Sequence, residues 1–127
     1  MKKITILIVD DHTLVRQGLR QICEKLGSFE VIGEAQDGVA AVMMAATLQP
    51  NVILMDIVMP KLDGVQAIRQ IMRANINARI IVLTMYRQEH YMVSAMKAGA
   101  RGYLLKDVDA KQLFAAIEAV AQGQYLI

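Results

Sequence analysis

The chain has no Trp, one Cys, two Pro, two Phe and four Tyr in 127 residues, and each scarcity removes a class of protein. A lone Cys23 excludes an internal disulfide and fits a reducing, cytoplasmic compartment. It falls among apolar positions, so it reads as an inert core thiol rather than a reactive one. No apolar run approaches the ~20 residues that span a bilayer, so no membrane helix is expected. Met1-Lys2-Lys3 leads only into Ile4–Val9 before two aspartates interrupt. That run is too short for a signal-peptide core and lacks a small-residue cleavage site, so it reads as a strand. Lys/Arg runs are missing and the net charge is only +2, which argues against a chain whose main task is gripping nucleic acid. Neither a Gly-x-x-x-x-Gly-Lys-Ser/Thr loop nor a Gly-x-Gly-x-x-Gly turn follows the first strand, so nothing would cradle a diphosphate. Internal repeats, low-complexity tracts and linkers are also missing.

What is present is a folding chain, 55% hydrophobic and 20% charged, of a size for one domain over residues 1–127. Short β-branched runs predict strands at Ile4–Val9, Glu30–Ala35, Val52–Met55, Arg79–Leu83 and Gly102–Leu105. Several are apolar on both faces, as parallel strands covered on both sides must be. Helical spacing fills the intervals. Val15, Leu19, Ile22, Cys23 and Leu26 form one apolar stripe opposite Arg16, Arg20 and Glu24, and Gly27 closes that helix. Asp37-Gly38 turns into an Ala/Met-rich helix that ends before Pro50. On it Val39, Met43 and Ala46 read as an exposed stripe beside the more buried Val42 and Met44. Val65, Ile68 and Met72 mark a third helix, and a fourth runs from about Gln88 to Lys97. The last opens at Asp109, which has capping-box spacing to Gln112, and ends near Gly123. Five strand–helix repeats predict an α/β fold, since parallel neighbours require crossovers.

In such sheets the ligand lies outside the carboxyl ends of the strands, where the strand order reverses. The chain places Asp10-Asp11 after the first strand, Asp56 after the third, Thr84 after the fourth and Lys106 after the fifth. Three converging carboxylates repel one another unless a cation offsets them, and a hard divalent ion with oxygen ligands and retained waters, Mg²⁺, does so best. A carboxylate beside Mg²⁺ can attack an activated phosphoryl group and form an acyl phosphate. Lys106 is the basic residue placed to neutralise the phosphoryl oxygens, and Thr84 offers a hydroxyl that could sense them. Taken singly, each aspartate could as well cap the following helix, the Thr could be a plain strand former and the Lys a solvated charge. Their order along four strand ends is what argues for a site. His12 reads as a first-turn residue of the first helix, and His90 as a surface residue.

The segments Val9-Asp10-Asp11-His12, Leu54-Met55-Asp56-Ile57-Val58-Met59-Pro60-Lys61-Leu62-Asp63-Gly64, Leu83-Thr84 and Gly102-Tyr103-Leu104-Leu105-Lys106-Asp107 resemble the receiver domain of two-component response regulators over essentially the whole chain. Asp-Asp-His-x-x-x-Arg-x-Gly-Leu from Asp10 to Leu19 resembles the NarL/FixJ (LuxR-type) group. The resemblance implies a flavodoxin-like, doubly wound, five-stranded parallel sheet of order 2-1-3-4-5 with five helices. It implies that Asp56 accepts phosphate from a sensor histidine kinase. Asp10, Asp11, Asp56 and the Val58 backbone carbonyl would hold Mg²⁺. Lys106 would pair with the phosphoryl group, Thr84 would swing toward it, and Tyr103 would turn inward as the switch. It further implies a phosphorylation-dependent homodimer and DNA contact only through a helix-turn-helix effector domain outside this chain. The chain would be no enzyme beyond its own phosphorylation and dephosphorylation.

The sequence departs from the family at Asp107, where many receivers have Pro, leaving the geometry of the Lys106–Asp107 bond open. Val58 and Tyr86 stand two residues beyond Asp56 and Thr84, where the family's side chains flank the path of attacking water; Val58 cannot orient a water and Tyr86 is bulky, which predicts a long-lived phosphoryl group. Two other readings compete. A haloacid-dehalogenase-type phosphohydrolase would carry Asp-x-Asp after the first strand, where this chain has adjacent aspartates. A stand-alone receiver is the other, and ending at Gln124-Tyr125-Leu126-Ile127 favours a fragment of a longer transcription factor.

Overall fold

The computed structural model describes residues 2–126; Met1 and Ile127 lie outside the described residues. Strands and helices alternate as β1 (Ile4–Val9), α1 (Thr13–Glu24), β2 (Phe29–Ala35), α2 (Gly38–Leu48), β3 (Val52–Met55), α3 (Gly64–Ala74), β4 (Ile80–Thr84), α4 (Glu89–Ala98), β5 (Gly102–Leu105) and α5 (Ala110–Ala121). All strand pairs are parallel and the order is β2-β1-β3-β4-β5, as expected. Successive strand residues point to opposite faces. Ile6, Ile8, Val52, Leu54, Ile81 and Leu83 therefore pack with Cys23 of α1 and with Leu113, Ile117 and Val120 of α5. Leu7, Val9, Ile53, Met55, Ile80 and Val82 meet Ala41, Ala67, Ile68, Ile71 and Ala95 of α2, α3 and α4. Each fully buried Ile or Leu contributes roughly 1.5–3 kcal/mol, so these two layers dominate the stability. Cys23 is buried, and burial pushes its thiol up to about 11, which bears out the inert reading.

Three helix starts follow from aspartates. Asp37 accepts from the Ala40 amide, Asp63 from the Gln66 amide, and Asp109 forms the full capping box with Gln112. α1 and α4 begin at His12 and Gln88 with no side-chain cap. Gly27, at φ +75°, turns the chain out of α1, a conformation that costs a side-chain-bearing residue. Gly38 and Gly64 clamp the loop between β3 and α3. A Cβ on Gly38 would sit 2.0 Å from the Leu62 carbonyl oxygen, and one on Gly64 would sit 2.5 Å from the Ile57 Cα.

The stripe proposed for α1 needs correction. Ile22 and Leu26 are 38% and 54% exposed, whereas Arg16, placed on the solvent side, has a side chain only 11% exposed. α1 lies over the β1–β2 edge, so its polar side faces β2, and Leu26 falls beyond the last helical turn. On α2, Val39, Met43 and Ala46 are exposed as expected, but Val42 and Met44 are only half-buried, and the buried positions are Gly38 and Ala41.

Candidate functional site

The strand register assembles the site. Val9 pairs with Met55, so Asp10 and Asp56, each one residue further on, leave the sheet side by side. The Asp56 amide donates to the Val9 carbonyl at 2.9 Å and the Asp10 amide to that of Ala35 at 3.1 Å. β1 lies between β2 and β3, so this pair stands where the connections change direction. Thr84, the last residue of β4, pairs with Leu105, and the Lys106 amide donates to the Thr84 carbonyl at 2.8 Å. Asp10, Asp56 and Thr84 are buried polar residues.

Neither strand-end acid caps a helix. Asp56 precedes a loop whose helix is capped by Asp63, and α1 is entered through His12. Asp56 Oδ1 accepts from the amide of Ile57 at 2.7 Å, the Thr84 hydroxyl at 3.0 Å and, more weakly, the amide of Val58 at 3.4 Å. Its Oδ2 accepts from Lys106 Nζ at 2.8 Å. Lys106 Nζ also lies 2.7 Å from Asp10 Oδ2, a contact that no sequence pattern predicts. Burial opposes charge on Lys106, but hydrogen bonds to Asp10 and Asp56 outweigh it and hold the ammonium above its ordinary value. Burial likewise pushes Asp10 up, yet Lys106 and the His12 amide bring it below the usual carboxylate range. Both groups are therefore charged at neutral pH.

Asp11 is partly exposed, and its Oδ1 lies 3.2 Å from His12 Nδ1. The same ring nitrogen is 3.1 Å from Asp10 Oδ1, which also accepts from the His12 amide at 2.9 Å. Ligand atoms of Asp10, Asp11 and His12 all fall within 4.8 Å of one another. His12 stands one residue before the first turn in which it was expected, and its ring lies against both carboxylates, the arrangement that a ligand role beside two aspartates would require. The carboxylate oxygens are hard donors, so the set fits a hard divalent cation.

The two residues expected to switch each hold a hydrogen bond within the protein. Thr84 bonds Asp56 itself, so it has to release that bond to reach any added oxygen. Tyr103 is half-buried against the layer that contains Leu7 and Met55, and its hydroxyl donates to the Tyr86 carbonyl at 2.7 Å. Burial and the Asp56 charge raise the Tyr103 phenol, which keeps its proton for that bond. Tyr86 packs on Tyr91 with ring centroids 5.0 Å apart, and the Val58 side chain is exposed. The Lys106–Asp107 peptide bond is trans. His90 is exposed, as expected, and its ring rests on Tyr91.

Comparison with known proteins adds context. A sequence model described as the response regulator receiver domain matches residues 6–118. The chain is 43% identical over 122 residues to the transcriptional regulatory protein YdfI of Bacillus subtilis, covering 96% of this chain and 57% of that protein. It is 43% identical over 121 residues to the transcriptional regulatory protein DegU of Brevibacillus brevis, covering 95% and 51%. Among solved structures, a two-component response regulator of the LuxR family from Aurantimonas superposes with a TM-score of 0.94 at 33% identity, over 99% of this chain and 90% of that one. The chain thus spans about half the length of the curated relatives it matches.

Proposed function

This chain belongs to the response regulator receiver domain family, and on that premise we propose that it is a phosphorylation switch with Asp56 as the acceptor. The observation that carries the proposal is the environment of Asp56. It is buried at the switch point of the sheet, caps no helix, and is held by an ammonium, a hydroxyl and a backbone amide within 3.0 Å. An acid so placed is oriented for attack rather than recruited for folding.

Asp56 Oδ2 attacks the phosphorus of a phosphodonor, a phosphohistidine on a sensor kinase or a small acyl phosphate. The P–O or P–N bond to the leaving group breaks as the acyl phosphate forms. Lys106 turns from the carboxylate to the phosphoryl oxygens, where charge accumulates. Thr84 exchanges its bond with Asp56 for one with the phosphoryl group. Asp10, Asp11, Asp56 and the Val58 carbonyl would hold Mg²⁺, which when bound would supply further neutralisation of those oxygens. Once Thr84 moves, the space above β4 changes, and Tyr103 reads that change through its bond to the Tyr86 carbonyl. The output is a population shift, not turnover of a substrate. Downstream readers in this reading are a second phosphorylated copy and a DNA-binding effector domain of the same protein, acting in the cytoplasm. Among the described residues no helix is long and apolar enough to cross a membrane.

The test is addition of acetyl phosphate or beryllofluoride with and without Mg²⁺, followed by intact mass and NMR, on the parent and Asp56→Ala. One Mg²⁺-dependent adduct per chain on the parent and none on Asp56→Ala is expected. An adduct that survives Asp56→Ala overturns the proposal, and many turnovers on phosphomonoesters would favour a phosphohydrolase.

A further inference from the structure

The Asp10 carbonyl lies one residue past the last ladder position of β1, on a residue only 2% exposed. A carbonyl buried there needs a donor that the sheet does not provide. It receives one from Arg16, whose NH1 donates to it at 2.7 Å. The same guanidinium donates through NH2 to the Thr13 hydroxyl at 3.2 Å and through Nε to Glu34 Oε1 at 3.1 Å. Glu34, on β2, is held in turn by Arg20 Nε on its other oxygen at 2.7 Å. Arg20 also reaches the Val31 carbonyl at 3.3 Å. One side chain from α1 thus bridges the loop after β1, the first turn of α1 and the edge strand.

From this we infer that Arg16 is a positioning residue for the acidic pair: it fixes the Asp10–Asp11 peptide plane, and so the direction in which the two carboxylates diverge. The inference deepens the proposed function and rests on it where Mg²⁺ is concerned. The carbonyl that Arg16 grips belongs to the peptide joining the two aspartates, so loss of the grip frees rotation at the point that sets both side chains. Glu34 has a second task. It offsets part of the guanidinium charge, which otherwise would weigh against a cation held by the acidic pair. Lysine cannot replace arginine in this role, because one ammonium cannot reproduce the planar fork that reaches three partners.

Electrostatics and positioning predict opposite signs, which makes the test decisive. Removing a positive charge beside three carboxylates should tighten a divalent cation if charge alone mattered. If Arg16 positions the pair, Arg16→Met should weaken Mg²⁺ on the order of tenfold, as loss of support behind metal ligands typically does. Affinity is read by titrating MgCl₂ against the Asp11 and His12 amide NMR signals, with a thermal melt as the folding control. Arg16→Lys serves if the Met variant is poorly folded, and it should weaken Mg²⁺ to a similar extent although it keeps the charge. In metal-free protein, the His12 amide, bound to Asp10 Oδ1, should exchange with solvent several-fold faster in either variant. At saturating Mg²⁺ the variants should still take one beryllofluoride on Asp56. Unchanged or tighter Mg²⁺ binding in Arg16→Met, or unchanged His12 exchange, overturns the inference. If the parent itself bound no Mg²⁺ while His12 exchange rose in the variants, the metal reading of the site would fall and the positioning role would stand.

Discussion

At the amino end of the sheet, polar side chains bind partners that complete them. Asn51 Oδ1 accepts from the Thr5 amide at 2.8 Å and the Thr5 hydroxyl at 3.0 Å, tying β3 to β1. Arg101 donates to the Gly123 carbonyl at 2.9 Å and lies over the Tyr125 ring, and Arg79 donates to the Ala121 carbonyl, so the end of α5 is closed down on β4 and β5. At the carboxyl end the polar side chains face one another instead. Lys106 is shared between Asp10 and Asp56, while Asp11 lies against the His12 imidazole, so three carboxylates gather where one ammonium contacts two of them. The amino end is satisfied in one arrangement. The carboxyl end holds an excess of like charge that a cation or a phosphoryl group can rearrange. A switch needs both: a fixed end against which the other can move.

The strongest way to break this contrast is to remove Lys106. Lys106→Met leaves Asp10 and Asp56 buried without their cation, and an uncompensated buried charge is costly. With EDTA present, urea denaturation should show a loss of roughly 2–4 kcal/mol, at the lower end if water reaches the carboxylates. MgCl₂ should recover part of that loss, because a divalent ion can take up the same oxygens. Unchanged stability in EDTA would mean that the carboxyl end is not under charge stress, and the contrast would fail.

The complementary change is at the other end. Asn51→Ala removes two hydrogen bonds between β1 and β3, so a loss of about 1–2 kcal/mol is expected for partly solvated bonds. The rate and yield of Asp56 modification by acetyl phosphate should stay at the parent level. A phosphorylation defect without loss of stability would show that the two ends are coupled.

Helix number and the gathering of Asp10, Asp56, Thr84 and Lys106 at strand ends were legible from local signals, whereas the sheet order followed from the family resemblance. Doubly apolar runs mark buried parallel strands, Asp109 and Gln112 mark a cap, and strand ends in an alternating fold converge by topology. What escaped was lateral. Arg16 and Arg20 look like the wet side of α1 in a helical projection. That projection does not know that α1 sits over an edge strand bearing Glu34. His12 turns onto two carboxylates through loop geometry that no periodicity encodes. The Lys106–Asp10 contact depends on the reach of a flexible side chain between two strands that are not neighbours. Thr84 was read as a sensor of phosphoryl oxygens, and its bond to Asp56 was not foreseen although a buried hydroxyl nearly always has an acceptor.

The smallest expected effect concerns how long the switched state lasts. Hydrolysis of an acyl phosphate on Asp56 requires water in line with the bond to Asp56 Oδ2. By the family resemblance Val58 would flank that approach, and its exposed apolar side chain can neither donate to water nor accept from it. Tyr86 would flank it from the other side, and its bulky ring is packed on Tyr91 while its carbonyl accepts from Tyr103. Val58 cannot orient a water and Tyr86 is bulky, so decay of the phosphorylated parent should take minutes or longer. Val58→Asn introduces an amide that can hold water and should speed decay about threefold, equivalent to roughly 0.6 kcal/mol of barrier. Tyr86→Ala should act in the same direction by opening the path. Loss of phosphate, followed by phosphate-affinity gel electrophoresis after removal of the donor, measures both. Decay complete within seconds in the parent, and slower decay in Val58→Ala, would show that these side chains assist water rather than exclude it.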